Sequence, residues 1–220
     1  HEMGHALHSM LSNVTYRSVS GTSVEWDFVE LPSQLMENWG YEYEFLSQFA
    51  KHHKTGETIP EDLVKKLNDA KTFMAGSVGL RQIMLGTIDM AWYSSDPSHV
   101  KDAAAFEDEA TEDLRLFPRL AGPTSTSFGH IFAGGYSAGY YSYKWSEVLD
   151  ADAYEAFKEN GLYDQETAQR YVNEILSKGG TLPAKQLYRN FRGRDADISA
   201  LLRREALGGN DNAAAQTKTG

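Results

Sequence analysis

His1-Glu2-Met3-Gly4-His5-Ala6-Leu7-His8-Ser9-Met10-Leu11 opens the chain, and its first five residues spell H-E-x-x-H. Ala6, Leu7, Met10 and Leu11 carry a helical apolar pattern through and past the motif, which predicts a helix over residues 1–12. Four residues apart on that helix, His1 and His5 project their imidazoles from one face. Two neutral imidazoles suit Zn²⁺. Glu2 stands one residue along, angled beside the ion, where it can take a proton from a water held there. A catalytic zinc site uses three protein ligands and keeps one position open, so a carboxylate is expected further on. A ligand helix also needs residues before its first turn, and no initiator Met precedes His1. The expectation is a piece of a longer protein whose upstream portion completes the fold.

Composition narrows the rest. The chain has 220 residues, 41% apolar, enough for a real core in one large domain or two small ones. A net charge of -10 makes nucleic acid and anionic membrane surfaces poor partners. There is no Cys, hence no disulfide and no thiolate ligand, which fits a reducing, cytoplasmic setting. A signal for the periplasm or an organelle would lie upstream of His1. No uninterrupted apolar run is long enough to span a bilayer.

Periodicity predicts a mainly helical chain with little strand. Residues 13–29 read as a loop or short extended pair. Pro32-Ser33 opens a helix running through Leu35, Met36, Trp39, Tyr43, Leu46 and Phe49. Further helices are expected near 61–70, 77–93, 103–117, 137–160, 164–178, 183–191 and 197–206, with Pro118 to Ser127 a loop. The small, polar stretch 208–220 reads as a disordered tail. No internal repeat or Pro-rich linker appears.

The stretch Val24-Glu25-Trp26-Asp27-Phe28-Val29-Glu30-Leu31-Pro32-Ser33-Gln34 supplies candidate third ligands in Glu25, Asp27 and Glu30. Glu30 stands at the start of the helix that carries Trp39, suited to pack on the first helix and deliver its carboxylate to the ion. With this stretch in view, H-E-M-G-H-A-L-H, D-F-V-E-L-P-S-Q-L-M-E-N-W and F-G-H-I-F-A-G-G-Y-S-A-G-Y-Y-S-Y together resemble the thimet oligopeptidase family of zinc metallopeptidases. That family takes in oligopeptidase A and peptidyl-dipeptidase, and the resemblance runs from His1 to about Leu207. It implies one Zn²⁺ on His1, His5 and Glu30, with Glu2 acting on the water. It also implies a helical, zincin-type catalytic lobe, residues 1–207, belonging to a larger two-lobed channel peptidase. Met3 stands where the family has Phe and is expected to face packing, a nearly neutral exchange.

Phe128-Gly129-His130 through Tyr143 is the second distinctive segment. Tyr136, Tyr140 and Tyr143 are spaced four and three, predicting one helix face. Negative charge builds on a peptide carbonyl oxygen under attack, and a donor aimed at it is worth about 2.7–4 kcal/mol. The resemblance implies that His130, Tyr136, Tyr140 and Tyr143 line a substrate site. Tyr143 and Tyr136 are the candidates for steadying the transition state, and His130 for holding the substrate backbone. Gly134-Gly135 reads as a hinge loop able to fold over substrate. Tyr141 is expected to point away into the core.

A metal-bound imidazole usually gives its other N–H to an acceptor. Glu37, two turns past Glu30, is the first choice and Asp27 the second, while Gln34 is placed to steady Glu30. His8 reads as a core or supporting histidine, and Arg192, Arg194, Arg203 and Arg204 as ion-pair partners, one of them a candidate for a substrate carboxylate. The function expected is zinc-dependent hydrolysis of short, unstructured peptides, internally or by release of C-terminal dipeptides. A different class remains open: a zinc-binding fragment that needs the upstream chain before it turns over. A structural zinc site would call for a fourth protein ligand, often Cys.

Overall fold

Local chemistry explains where α3, α7 and α10 begin. In the computed structural model, which describes residues 1–118 and 121–208, α1 spans Glu2–Met10 and α2 Trp26–Val29. Next, α3 spans Leu31–Glu37, with Pro32 in its first turn. A short α4 follows at Tyr43–Leu46, then α5 at Glu61–Lys71 and α6 at Ala75–Ser94. Helix α7, Ala103–Ala110, starts where Asp102 accepts from the amides of Ala104 and Ala105. A single turn, α8, covers Gly129–Phe132, and the long α9 covers Ser142–Asn160. Asp164 accepts from the Thr167 amide to open α10, Gln165–Tyr171, which runs into a π-helical turn at Val172–Leu176. The last two helices among the described residues are α11, Ala184–Arg192, and α12, Ser199–Arg204. Among the described residues the one β interaction is an isolated bridge, Lys51 to Thr58. The mainly helical expectation therefore holds.

Helix α9 is the axis of the larger core. Its Leu149, Ala153 and Phe157 pack against Leu31 and Leu35 of α3, Phe28 of α2, Tyr171 and Ile175, and Leu187 and Phe191 of α11. Leu31 and Leu35 are fully buried, and each such side chain contributes about 1.5–3 kcal/mol. Two acids on the same helix are buried too. Asp150 meets Arg204 at 2.5 Å and Asn38 at 2.9 Å, while Asp152 meets Arg194 and the Tyr188 hydroxyl, each at 2.5 Å. A smaller core joins Leu85 and Ile88 of α6 to Phe128, Ile131 and Tyr140. No helix among the described residues is long and apolar enough to cross a membrane.

Four local expectations change. Residues 13–29 form 3₁₀ and α turns with no extended pair. The helix expected from Pro32 to Phe49 stops at Glu37 and passes through a 3₁₀ turn, Asn38–Tyr41. The Asn38 amide there caps the carbonyls of Gln34 and Leu35 and also reaches Asp150. The helix expected over 103–117 ends at Ala110, followed by a 3₁₀ turn. The helix expected from 137 begins at Ser142, because Ala138 sits in the left-handed region at φ 54°. Of the tail, residues 209–220 lie outside the described residues.

Candidate active site

Gly4, inside H-E-x-x-H, brings α1 onto α3. A Cβ there would stand 2.3 Å from the Pro32 carbonyl oxygen and 2.4 Å from the Ser33 Cα, so only glycine permits this approach. With Gly4 turned to α3, Met3 points outward and is 61% exposed, not packed as expected.

The close crossing places His1 and His5 over Glu30. His1 Nε2 lies 3.3 Å and His5 Nε2 3.2 Å from Glu30 Oε2. One ligand atom from each of the three residues falls within 4.8 Å of the others. A tetrahedral zinc with ligands at about 2.0–2.2 Å separates its donor atoms by roughly 3.3–3.6 Å. Two imidazole nitrogens turned to one carboxylate oxygen, in a donor set without sulfur, fit zinc on geometry and chemistry alike.

Around this triad the supports are explicit. Glu30 is almost wholly buried. Its Oε2 accepts from the Ser33 hydroxyl at 2.7 Å, and its Oε1 from the Tyr136 hydroxyl at 2.7 Å. His1 Nδ1 lies 2.6 Å from Glu37 Oε1, the pairing expected of an imidazole whose other nitrogen faces a metal. Asp27 is engaged elsewhere: it accepts from the Tyr141 hydroxyl at 2.9 Å, so it is no imidazole partner. Tyr141 itself is 48% exposed, a correction to the core position expected of it, because the turn before α9 directs it to Asp27. The Gln34 backbone amide donates to the Glu30 carbonyl at 2.9 Å within the helix, while its side-chain amide donates to the Tyr143 carbonyl at 3.1 Å and ties α3 to the start of α9. His8 is fully buried with neither ring nitrogen paired, and burial, with the nearby His5, pushes its pKa down to about 4.

The aromatic segment faces the triad. Tyr136 and Tyr143 stack with ring centres 5.0 Å apart, and Tyr140 lies 5.2 Å from Tyr143. The His130 ring lies 5.8, 5.6 and 6.0 Å from those of Tyr136, Tyr140 and Tyr143. They cluster through a folded turn and not through one helix face, since Tyr136 and Tyr140 precede α9. Burial raises the Tyr136 phenol well above its usual range, helped by bonds to Tyr143 and Glu30, so at neutral pH it is a donor. Burial also raises Tyr143, against a lowering hydrogen bond from Tyr136, and Glu2 on α1 is exposed. Gly135 adopts φ 84° with its open side on Trp26, whose ring lies 4.8 Å from that of Tyr136. A Cβ on Gly134 would stand 3.0 Å from the His130 Cα, so this glycine serves close packing.

Among the arginines, Arg192 and Arg194 meet Asp152, Arg203 meets Glu155, and Arg204 meets Asp150. The residues that sequence reasoning missed are Ser33, Gly4 and two buried acids, Asp89 and Glu107. Glu107 accepts from the amides of Thr124 and Ser125, each at 2.9 Å, and from the Ser125 hydroxyl. Burial pushes the Glu107 carboxyl up, but those hydrogen bonds outweigh it and hold the group low.

The chain is 45% identical over 214 residues to a probable cytosolic oligopeptidase A of Arabidopsis thaliana, covering 94% of this chain and 30% of that protein. It is 40% identical over 214 residues to oligopeptidase A of Escherichia coli K12, covering 95% and 31%. Against the dipeptidyl carboxypeptidase of the same strain it is 34% identical over 210 residues, covering 94% and 31%. The chain thus spans under a third of the length of these relatives. Residues 1–207 match the model of peptidase family M3, and the chain belongs to that family.

Proposed function

We propose that this chain carries the zinc site of an enzyme that hydrolyses peptide bonds in short, unstructured oligopeptides. The observation that supports the reading most is the convergence of His1 Nε2 and His5 Nε2 on Glu30 Oε2, at 3.3 and 3.2 Å. When bound, zinc supplies Lewis-acid polarisation of the scissile carbonyl and lowers the pKa of a water to about 7. His1, His5 and Glu30 hold the ion, and Glu37 fixes the His1 ring through Nδ1. Glu2 takes the proton of the attacking water and passes it to the leaving nitrogen. Tyr143 and Tyr136 donate to the carbonyl oxygen as its charge grows, and His130 and Tyr140 hold the peptide backbone. For Tyr136 this means exchanging its bond to Glu30 for one to substrate. Gly134, packed on His130, and Gly135, at a left-handed φ of 84°, set the backbone turn that presents this segment to that peptide. Portions of the same protein outside this chain supply the rest of the substrate channel, in keeping with the greater length of the relatives. The Cys-free composition fits a cytoplasmic setting.

The test uses the intact, zinc-loaded protein and an unstructured peptide. Glu2→Gln lowers kcat by about 10²–10⁴-fold with zinc retained. Undiminished turnover in that variant, or after chelation, overturns the reading. The names of the relatives cover both an oligopeptidase and a dipeptidyl carboxypeptidase. Cleavage of a C-terminally amidated peptide, read by mass spectrometry, favours the oligopeptidase; release of dipeptides only from a free C-terminus favours the other.

A further inference from the structure

Asp89 lies on α6, a helix that contributes none of the metal-ligand residues. It is fully buried, and among the described residues no cation pairs with it. Its two oxygens are committed instead to the backbone. Oδ1 accepts from the Ala138 amide at 2.8 Å and Oδ2 from the Tyr140 amide at 2.9 Å. Ala138 holds a left-handed φ of 54°, a conformation that costs an alanine and persists only when its surroundings enforce it.

The same stretch of α6 grips the segment at two more places. The Tyr93 hydroxyl donates to the Ile131 carbonyl, which the Ser137 hydroxyl also reaches at 2.7 Å, and Trp92 Nε1 donates to the Ser125 hydroxyl at 2.8 Å. The backbone from Ser125 to Tyr140 is therefore laid out on α6. Asp89 sits under the turn between Tyr136, whose hydroxyl meets Glu30, and Tyr140, whose ring packs on Tyr143. A buried carboxylate is costly unless hydrogen-bonded, and bonds from amides to a charged acceptor are among the strong ones. An asparagine offers one oxygen and sets an NH₂ against the second amide, so the clamp needs an acid.

We propose that Asp89 is a positioning residue for peptide hydrolysis: its carboxylate clamps the Ala138 and Tyr140 amides, sets the turn that brings Tyr136 to Glu30 and Tyr140 against Tyr143 and His130, and acts on the reaction through those phenols. The proposal rests on the function proposed above. It is tested in the intact protein with Asp89→Asn and with Asp89→Asn combined with Ala138→Gly. The single variant keeps its zinc and loses about 10²-fold in kcat, the scale of a misplaced catalytic group, with a much smaller change in KM. Hydrogen exchange at Ala138 and Tyr140 accelerates while α1 and α3 stay protected. Glycine at 138 removes the left-handed strain, so the double variant recovers part of the kcat and remains measurable if the single variant does not fold. Unchanged kcat and exchange in Asp89→Asn overturn the proposal, as does a loss of zinc in step with activity, or a double variant with no recovery. If the unsubstituted protein cleaves no peptide, the functional reading falls, and exchange at the two amides alone decides whether the clamp exists.

Discussion

The two halves of the candidate site are built by different means. The ligand corner, α1 crossing α3, stands on the larger apolar core, and its contact at Gly4 is backbone against backbone. The aromatic segment is mostly irregular chain, and buried acids hold it: Glu107 under Thr124 and Ser125, and Asp89 under Ala138 and Tyr140. An ion needs donor atoms fixed to within a fraction of an ångström, which packed helices provide. A peptide must enter and leave, and a segment held by the smaller apolar core and a few discrete hydrogen bonds can shift more readily than helix packed on helix.

The contrast is open to attack at single positions. Gly4→Ala should be the most damaging, because the added methyl meets the backbone of Pro32 and Ser33 and neither can yield. We expect a loss of about 3 kcal/mol in denaturant unfolding, at the upper end for overpacking, and a fall in bound zinc together with it. Full stability with full zinc would mean that the corner is more pliable than its backbone contact implies. Glu37→Gln comes next. It leaves the core intact and weakens the hold on the His1 ring, so zinc affinity measured by competition with a chelator should fall by about 10–100-fold with little change in unfolding. Glu107→Ala is the mildest. Its effect should be about 1 kcal/mol, low in the range for freed hydrogen-bond partners because water reaches part of this turn, and it should appear as faster exchange at Thr124 and Ser125 with zinc affinity unchanged. A drop in zinc affinity there would erase the distinction between the two halves.

The sequence offered spacings at the candidate ligand corner, and the resemblance named its residues; the structure brings those residues together. His1 and His5 share a face through a spacing of four, and Glu30 and Glu37 are two turns apart, so one ideal helix geometry relates each pair. What stayed hidden is not periodic. Asp89 and Glu107 act on backbone amides remote in sequence, and an acid inside a helical pattern leaves no mark that distinguishes it from a solvated charge. Ser33 sits three residues after Glu30 and could have been read as a hydroxyl reaching back to the carboxylate. The spacing of Tyr136, Tyr140 and Tyr143 suggested a helix, yet the rings meet through a turn that a left-handed Ala138 makes. Tyr141 went astray for the same reason, since its direction depends on that turn. The break after Glu37 was missed because Trp39 keeps the apolar rhythm while Asn38 ends the helix with its side chain.

Asn38 carries one more implication. Arg204 donates to its carboxamide oxygen at 3.2 Å, while the residue just before it, Glu37, meets His1 at 2.6 Å. Consecutive residues at the junction of α3 and the 3₁₀ turn thus receive His1 and a residue of α12. Contacts this distant along a chain form late and slowly. The His1 pairing spans 36 positions and the Arg204 pairing 166, so the end of α3 is completed only when segments remote along this chain have met it.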